Sequence, residues 1–142
     1  MMQRRLAFDV GDRRIGVAVS DALGITAQPV ETYHRKGGAE KDAEYLLQLA
    51  KKYAPCTLLF GLPRNMDGTY GEQAEKVRKF AQRLIDQWDG EYAFYDERLT
   101  TMAARRVLLD ADVSREKRKQ VIDKMAAVVI LQGYMESRRN QL

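Results

Sequence analysis

Three acidic residues occupy positions where a charge is costly to bury. Asp9 lies near the end of an apolar run, Glu97 directly follows an alternating apolar segment, and Asp123 shares a helical face with apolar residues. A buried carboxylate is unfavourable unless a cation, a metal ion or hydrogen bonds compensate its charge. Singly, each acid has an ordinary explanation: Asp9 could cap a strand, and the other two could pair with neighbouring Arg or Lys side chains. The three together are harder to explain in this way.

The chemistry of three converging carboxylates points to divalent metal ions. They would repel one another and raise each other's pKa values unless a cation lay among them. Oxygen ligands without His or Cys favour Mg²⁺ or Mn²⁺ over zinc. A pair of such ions can activate water and stabilise the oxygens of a phosphodiester under in-line attack. Because the chain has one histidine, His34, and one cysteine, Cys56, chemistry that needs two histidines or a cysteine-based zinc cluster is excluded.

The hydrophobic pattern predicts elements that could bring these acids together. A mixed sheet of about five strands flanked by helices is expected. Gly11 and Asp12 would turn the first two strands into a hairpin, with Gly11 also letting a ligand approach the backbone. Ligand groups of such folds gather at the carboxyl ends of strands, where Asp9 and Glu97 fall. The expected strands are 4–10, 14–20, 28–33, 56–60 and 91–96, and the expected helices are 39–53, 72–88, 103–110 and 115–138.

The last predicted helix carries the third acid on its packed face. Asp123, Ala126, Ala127, Ile130 and Tyr134 are spaced so that they fall on one side of a helix. Two alanines one turn after the acid would let this helix approach the sheet closely. We therefore expect Asp123 to lie near the strand ends that carry the other two carboxylates.

Length and composition predict one domain spanning residues 1–142. No segment approaches the ~20 apolar residues needed to cross a membrane. The first residues contain no apolar signal core, so a cytoplasmic protein is expected. Cys56 lies in an apolar run and is expected to be a buried structural thiol, whereas His34 is expected at the surface.

Basic residues are concentrated in the last third of the chain. Residues 98–142 contain 10 Lys and Arg against 5 Asp and Glu, whereas residues 1–97 contain 14 against 15. This asymmetry suggests a polyanionic partner, although solvated helix faces also carry Lys and Arg. We expect phosphate contacts from residues near the proposed site and from the basic last third: Arg13, Arg14, Arg64, Asn65, Arg98, Arg115, Lys117, Arg118 and Lys119.

Five segments, in this order, resemble the signature blocks of the YqgF family of small bacterial nucleases. The resemblance covers nearly the whole chain and implies an RNase H-like fold related to the RuvC resolvases. It also implies that Asp9, Glu97 and Asp123 bind a divalent metal, and that the protein hydrolyses phosphodiester bonds. Maturation of the 5′ end of pre-16S rRNA is the function we expect from this resemblance, with cleavage of Holliday junctions as the alternative. The segments are 9–16, 24–29, 61–68, 96–101 and 121–127.

Several alternatives stay open at this stage. A four-way-junction resolvase would need a two-fold homodimer, whereas cutting one RNA strand needs one subunit. A non-catalytic module could use the basic residues to hold nucleic acid, but three intact acids weigh against it. Actin-like ATPases and sugar kinases also begin with Asp-x-Gly, but they need a second domain for which 142 residues leave no room.

Overall fold

The chain folds around a mixed β-sheet. The computed structural model describes residues 3–65, 67–96 and 115–139, and in the last range the side chains of residues 125–138. In these residues a five-stranded sheet has the order β3-β2-β1-β4-β5, which confirms the predicted sheet. The elements are β1 (Arg4–Val10), β2 (Arg14–Ser20), β3 (Ala27–His34), α1 (Ala39–Tyr53), β4 (Cys56–Leu62), α2 (Glu72–Ile85), β5 (Tyr92–Asp96) and α3 (Arg115–Arg139).

Strand directions bring several strand ends to one edge of the sheet. β1 pairs with β2 in antiparallel fashion and with β4 in parallel, and β5 runs parallel to β4. Since β3 is antiparallel to β2, it also runs in the direction of β1. β1, β3, β4 and β5 therefore all end at the same edge, which we call the carboxyl edge. Phe8 pairs with Phe60 near this edge, and Leu62 pairs with Asp96.

The two faces of the sheet bury different helices because successive strand residues point to opposite sides. Leu6, Phe8 and Phe60 are fully buried on the face covered by α1 and α2. Ala7 and Leu59 lie on the other face, which α3 covers with a smaller apolar cluster. Each large apolar side chain removed from water in this way contributes about 1.5–3 kcal/mol before the entropy cost of ordering the chain.

Most element boundaries agree with those expected from the sequence. The predicted helix 39–53 matches α1, and the last helix extends one residue further than expected, to Arg139. α2 ends at Ile85, three residues early, because the chain tightens after it: the Trp88 N–H donates to the Ile85 carbonyl at 3.2 Å. The predicted helix 103–110 lies outside the described residues.

Two further expectations concern the cysteine and the membrane. Cys56 is a free thiol buried in the core, as predicted. His34 is exposed at the end of β3. Across the described ranges, none of the helices combines the length and apolar character that a membrane span needs.

Candidate active site

Asp9 lies on β1, one residue before the strand ends at the carboxyl edge. It is partly buried, and strand alternation places it on the same face as Ala7, the face that α3 covers. The preceding residue, Phe8, is fully buried on the opposite face. β1 therefore presents the carboxylate towards the α3 side of the sheet while its neighbours fix the strand in the core.

Glycine flanks Asp9 on both neighbouring strands. Gly16 of β2 is the direct partner of Asp9 in the antiparallel ladder. On β4, Gly61 follows Phe60, the partner of Phe8, and so occupies the position alongside Asp9. Glycine has no side chain, so neither neighbouring strand places a side chain directly beside Asp9, and both glycines are themselves buried. Within the sheet, Asp9 is thus flanked by backbone alone, on the face that α3 covers.

α3 approaches this face closely, as the alanines in its sequence predict. Ala126, Ala127 and Ile130 are all fully buried, and the last two belong to the apolar cluster formed with the sheet. A Cβ at Gly133 would lie 2.8 Å from the Tyr95 hydroxyl, so glycine at this position lets α3 approach the Tyr95 side chain of β5 closely. Small residues therefore set the distance between helix and sheet.

The other two predicted acids cannot be placed by side-chain geometry. Asp123 lies in α3 one turn before the buried alanines, but its side chain is outside the described part of the structure. Glu97 is the residue after the end of β5 and is also outside the described residues. The convergence of Asp9, Glu97 and Asp123 thus stays a prediction.

A tight hairpin turn follows Asp9. The Gly11 N–H donates to the Arg14 carbonyl at 2.9 Å, and a Cβ at Gly11 would lie 2.8 Å from that oxygen. Glycine is therefore required here to close the turn, a role distinct from the ligand approach expected from the sequence. Arg13 is exposed at the tip, and alternation along β2 places Arg14 on the same face as Asp9.

Asp96, next to the predicted metal ligand Glu97, contacts side chains from the segment between β4 and α2. Its carboxylate accepts a hydrogen bond from the Tyr70 hydroxyl at 2.8 Å and pairs with the Arg64 guanidinium at 3.2 Å. The hydrogen bond to Asp96 raises the pKa of Tyr70. The guanidinium groups of Arg64 and Arg78 lie 5.0 and 4.7 Å from the Tyr70 ring centroid. The sequence contained no signal for this cluster.

The loop between β4 and α2 is braced by its own hydrogen bonds. The Arg64 Nε donates to the Gly68 carbonyl at 2.9 Å, and the Asn65 amide donates to the Thr69 hydroxyl at 3.0 Å. The Asp67 carboxylate accepts from that hydroxyl at 2.6 Å. Arg64 and Asn65 thus lie at the carboxyl edge, as expected, but both also hold the loop in shape.

The remaining predicted phosphate contacts lie beyond what the structure describes. Arg98 is outside the described residues. The other four are in the first turns of α3, where the backbone is described and the side chains are not: Arg115, Lys117, Arg118 and Lys119.

The donor chemistry of the site fits a hard divalent cation. Asp9 supplies carboxylate oxygens at a partly buried position, and the only histidine and cysteine of the chain are elsewhere, at the end of β3 and in the core. Among the described residues, which exclude Glu97 and the Asp123 side chain, no group of three potential ligands forms. A complete metal site at Asp9 would need those two acids.

Solved structures and related sequences show what this chain resembles. RuvC of Thermus thermophilus, solved in complex with a Holliday junction substrate, matches with a TM-score of 0.56 and 14% identity over 97% of this chain and 96% of that one. A second Thermus thermophilus RuvC structure gives a TM-score of 0.55 at 13% identity over 97% of each chain. These likenesses establish the RNase H-like fold of the RuvC type.

Proteins found by sequence comparison share a much higher identity with this chain than the two solved structures do. A Clostridium novyi (strain NT) protein named "Putative pre-16S rRNA nuclease" is 52% identical over 134 residues, covering 94% of this chain and 98% of its own. A Halalkalibacterium halodurans protein of the same name is 52% identical over 140 residues, covering 98% and 99%. The family model described as "RuvX: Holliday junction resolvase" matches residues 3–137. The chain therefore belongs to the RuvX family, the YqgF family that its sequence resembles.

Proposed function

We propose that this protein is a divalent-metal-dependent nuclease that trims the 5′ end of the 16S ribosomal RNA precursor. The observation that carries the proposal is Asp9, an acid set at the carboxyl edge between two glycines in a member of a nuclease family. The names of relatives that are 52% identical over almost their full length favour RNA as the substrate. Such a substrate would place the enzyme in the cytoplasm.

Asp9, Glu97 and Asp123 would hold Mg²⁺ or Mn²⁺, with Asp9 fixed by β1 and the other two supplied from the end of β5 and from α3. The bound metal would supply Lewis-acid chemistry, polarising water and neutralising charge on the phosphodiester. Asp9 contributes a rigid carboxylate, because the hydrogen-bonded ladder on both sides of β1 fixes its backbone. The glycines beside it would place no side chain between Asp9 and an approaching phosphodiester.

The basic residues would position the nucleic acid. Arg14 lies on the Asp9 face, Arg13 at the hairpin tip, and Arg64 and Asn65 at the same edge. Phosphate contacts fix register without reading sequence. Arg98, Arg115, Lys117 and Arg118 would extend this basic surface.

Cleavage of branched DNA is the alternative activity. It is favoured by the description of the family as a Holliday junction resolvase and by the RuvC-type fold. Symmetric cleavage of a four-way junction would need two active sites related by a two-fold axis, and hence a homodimer.

The experiment compares two substrates under the same conditions. Purified protein is incubated with Mg²⁺ or Mn²⁺ and either an RNA spanning the precursor 5′ end or a synthetic four-way DNA junction. We expect cleavage of the RNA that is lost in EDTA and in Glu97→Gln. Symmetric junction cuts without RNA cleavage would replace the RNA assignment by the resolvase. Binding of either substrate without cleavage under any metal would leave a non-catalytic nucleic-acid-binding module.

A further inference from the structure

A basic cleft opens on the other side of the hairpin from Asp9. It encloses about 820 Å³ between the β1–β2 turn, the start of α1 and one face of α2. Six of its thirteen lining residues are Arg or Lys and two are Asp. Arg14 borders the cleft at the start of β2, although strand alternation places it on the Asp9 face, and the other five lining cations are Arg13, Arg35, Lys76, Lys79 and Arg83.

The floor of the cleft is a rigid, prebuilt structure. The Arg35 guanidinium lies 4.7 Å from the centroid of the Phe80 ring, which is 4% exposed. It donates to the Asp42 carboxylate at 2.9 Å and to the Gly11 carbonyl at 2.9 Å. Arg35 thus ties the hairpin to α1 and holds its charge at the base of the cleft.

The walls carry cations to which the described part of the chain gives no carboxylate partner, or only an exposed one. Arg13, Lys79 and Arg83 are exposed, and the described residues place no carboxylate within 4.0 Å of their charged groups. Lys76 pairs with Asp12 at 3.5 Å, but both side chains are more than half exposed. Such a surface pair is worth little and can exchange for a stronger anion.

The cations are spread along the cleft instead of converging on one point. Lys76, Lys79 and Arg83 follow the three- and four-residue spacing of a single helix face, a run of roughly 10 Å along α2. Arg13 faces them from the hairpin. A single phosphate would engage only part of this row, whereas a chain of phosphates would engage all of it.

We propose that this cleft binds the phosphodiester backbone of the nucleic acid outside the cleavage site. The inference rests on the proposed function for the identity of the ligand as a nuclease substrate. The hairpin that follows Asp9 separates the cleft from the site, and both lie at the carboxyl edge. A strand engaged at Asp9 can therefore continue over the hairpin tip into the cleft, where the cations add affinity without sequence preference.

The test measures binding without cleavage. Anisotropy of a fluorescent single-stranded RNA is followed in EDTA over a salt series, for wild type, for Lys79→Ala/Arg83→Ala and for the control Lys51→Ala/Lys52→Ala. The control removes the same charge from exposed residues at the far end of α1. We expect the cleft variant to lower the slope of log K against log salt by about 1.4, because each single-strand phosphate contact contributes about 0.7, and the control to leave it unchanged.

Three results would overturn the proposal. The first is an equal slope for wild type and cleft variant, even if RNA is still cleaved. The second is an equal decrease of the slope in the control variant Lys51→Ala/Lys52→Ala. The third is saturable protection against heat by inorganic phosphate or a mononucleotide that is lost in Lys79→Ala/Arg83→Ala, which would make the cleft a small-anion site. Cleft-dependent RNA binding without cleavage would uphold the cleft and reject the nuclease instead.

Discussion

Asp42 is a buried carboxylate whose environment gives it a structural role. Its side chain is 1% exposed on α1 and accepts hydrogen bonds from the Tyr33 hydroxyl at 2.8 Å and from Arg35 at 2.9 Å. Burial alone would raise the pKa of Asp42, but the hydrogen bonds from Arg35, Tyr33 and the Lys36 N–H outweigh it and hold the pKa below its ordinary value. The ionised carboxylate therefore stabilises the folded state.

We expect Asp42→Asn to lower the free energy of unfolding at pH 7 by about 2–3 kcal/mol, because one partner of a largely buried ion pair is removed while Arg35 keeps some solvent contact. A lowered carboxyl pKa stabilises above the unfolded value, and this gain is lost as pH falls through the folded pKa. The difference in the free energy of unfolding between wild type and Asp42→Asn should therefore shrink below about pH 4. Urea unfolding across pH measures it, with the exposed Glu44→Gln as control. Equal stability at pH 7 would contradict this role.

Cys56 should behave as an inert core thiol. Burial raises its pKa to about 11, with the nearby charge of Arg4 acting weakly in the other direction. Because the thiolate is the reactive form, a thiol reagent at neutral pH should label the native protein only as fast as it unfolds, and the urea-unfolded protein at once. Rapid labelling of the native protein would show that Cys56 is accessible.

At the scale of single residues, the sequence indicated which charged side chains would be costly to bury, but not which side chains they contact in the folded protein. Asp9 was identifiable because an acid in an apolar strand needs an explanation. Asp42 and Asp96 gave no such signal, since their partners Arg35 and Arg64 are brought to them by the fold. The cleft residues of α2 were equally hidden, because Lys and Arg on one helix face are typical of any solvated surface.

Among the elements, the hairpin after Asp9 offers a direct test. In Gly11→Ala the new methyl group would lie 2.8 Å from the Arg14 carbonyl oxygen, a backbone atom that cannot move without opening the turn. We expect a loss of about 1–3 kcal/mol in stability, typical of forced overpacking, together with lower nuclease activity because Asp9 is two residues away.

Gly38→Ala is the matched control for the hairpin variant. A Cβ there would meet only Lys41 Cγ, at 4.0 Å. We expect Gly38→Ala to lose less stability than Gly11→Ala, because the Gly38 backbone is extended (φ −141°), a conformation that alanine also adopts, and only the N-cap preference for glycine is lost. Thermal unfolding compares the two variants, and equal losses would show that the turn does not require glycine.

The elements themselves were the most predictable part of the fold. Amphipathic spacing predicted the bounds of α1, and short apolar runs, with alternation in the last strand, predicted the five strands to within two residues at each end. The end of α2 was missed because the last apolar residues, Ile85 and Trp88, continue the helical period while the backbone turns. Pairing order and helix approach depend on contacts distant in sequence, so only the folded sheet reveals the glycines beside Asp9.

Over the whole molecule, the positive charge should appear in the salt dependence of binding. The +4 chain has its excess in residues 98–142, of which Arg115, Lys117 and Arg118 begin α3. Replacing these three with Gln should lower the slope of log K against log salt by about 2 for single-stranded RNA, if each contacts a phosphate. An unchanged slope in anisotropy titrations would make this segment a solvated helix face.

The nuclease proposal depends most on Asp9, and single-turnover cleavage of the precursor RNA in Mg²⁺ can isolate its role. Asp12→Asn is the control, since it makes the same change in charge three residues away at an exposed position paired only with Lys76 among the described residues. We expect Asp9→Asn to lose at least about 10²-fold in rate, as when an essential catalytic group is removed, while folding normally and still binding the RNA. Asp12→Asn should stay within a few-fold of wild type. Equal cleavage by wild type and Asp9→Asn would contradict the assignment of this carboxylate to catalysis.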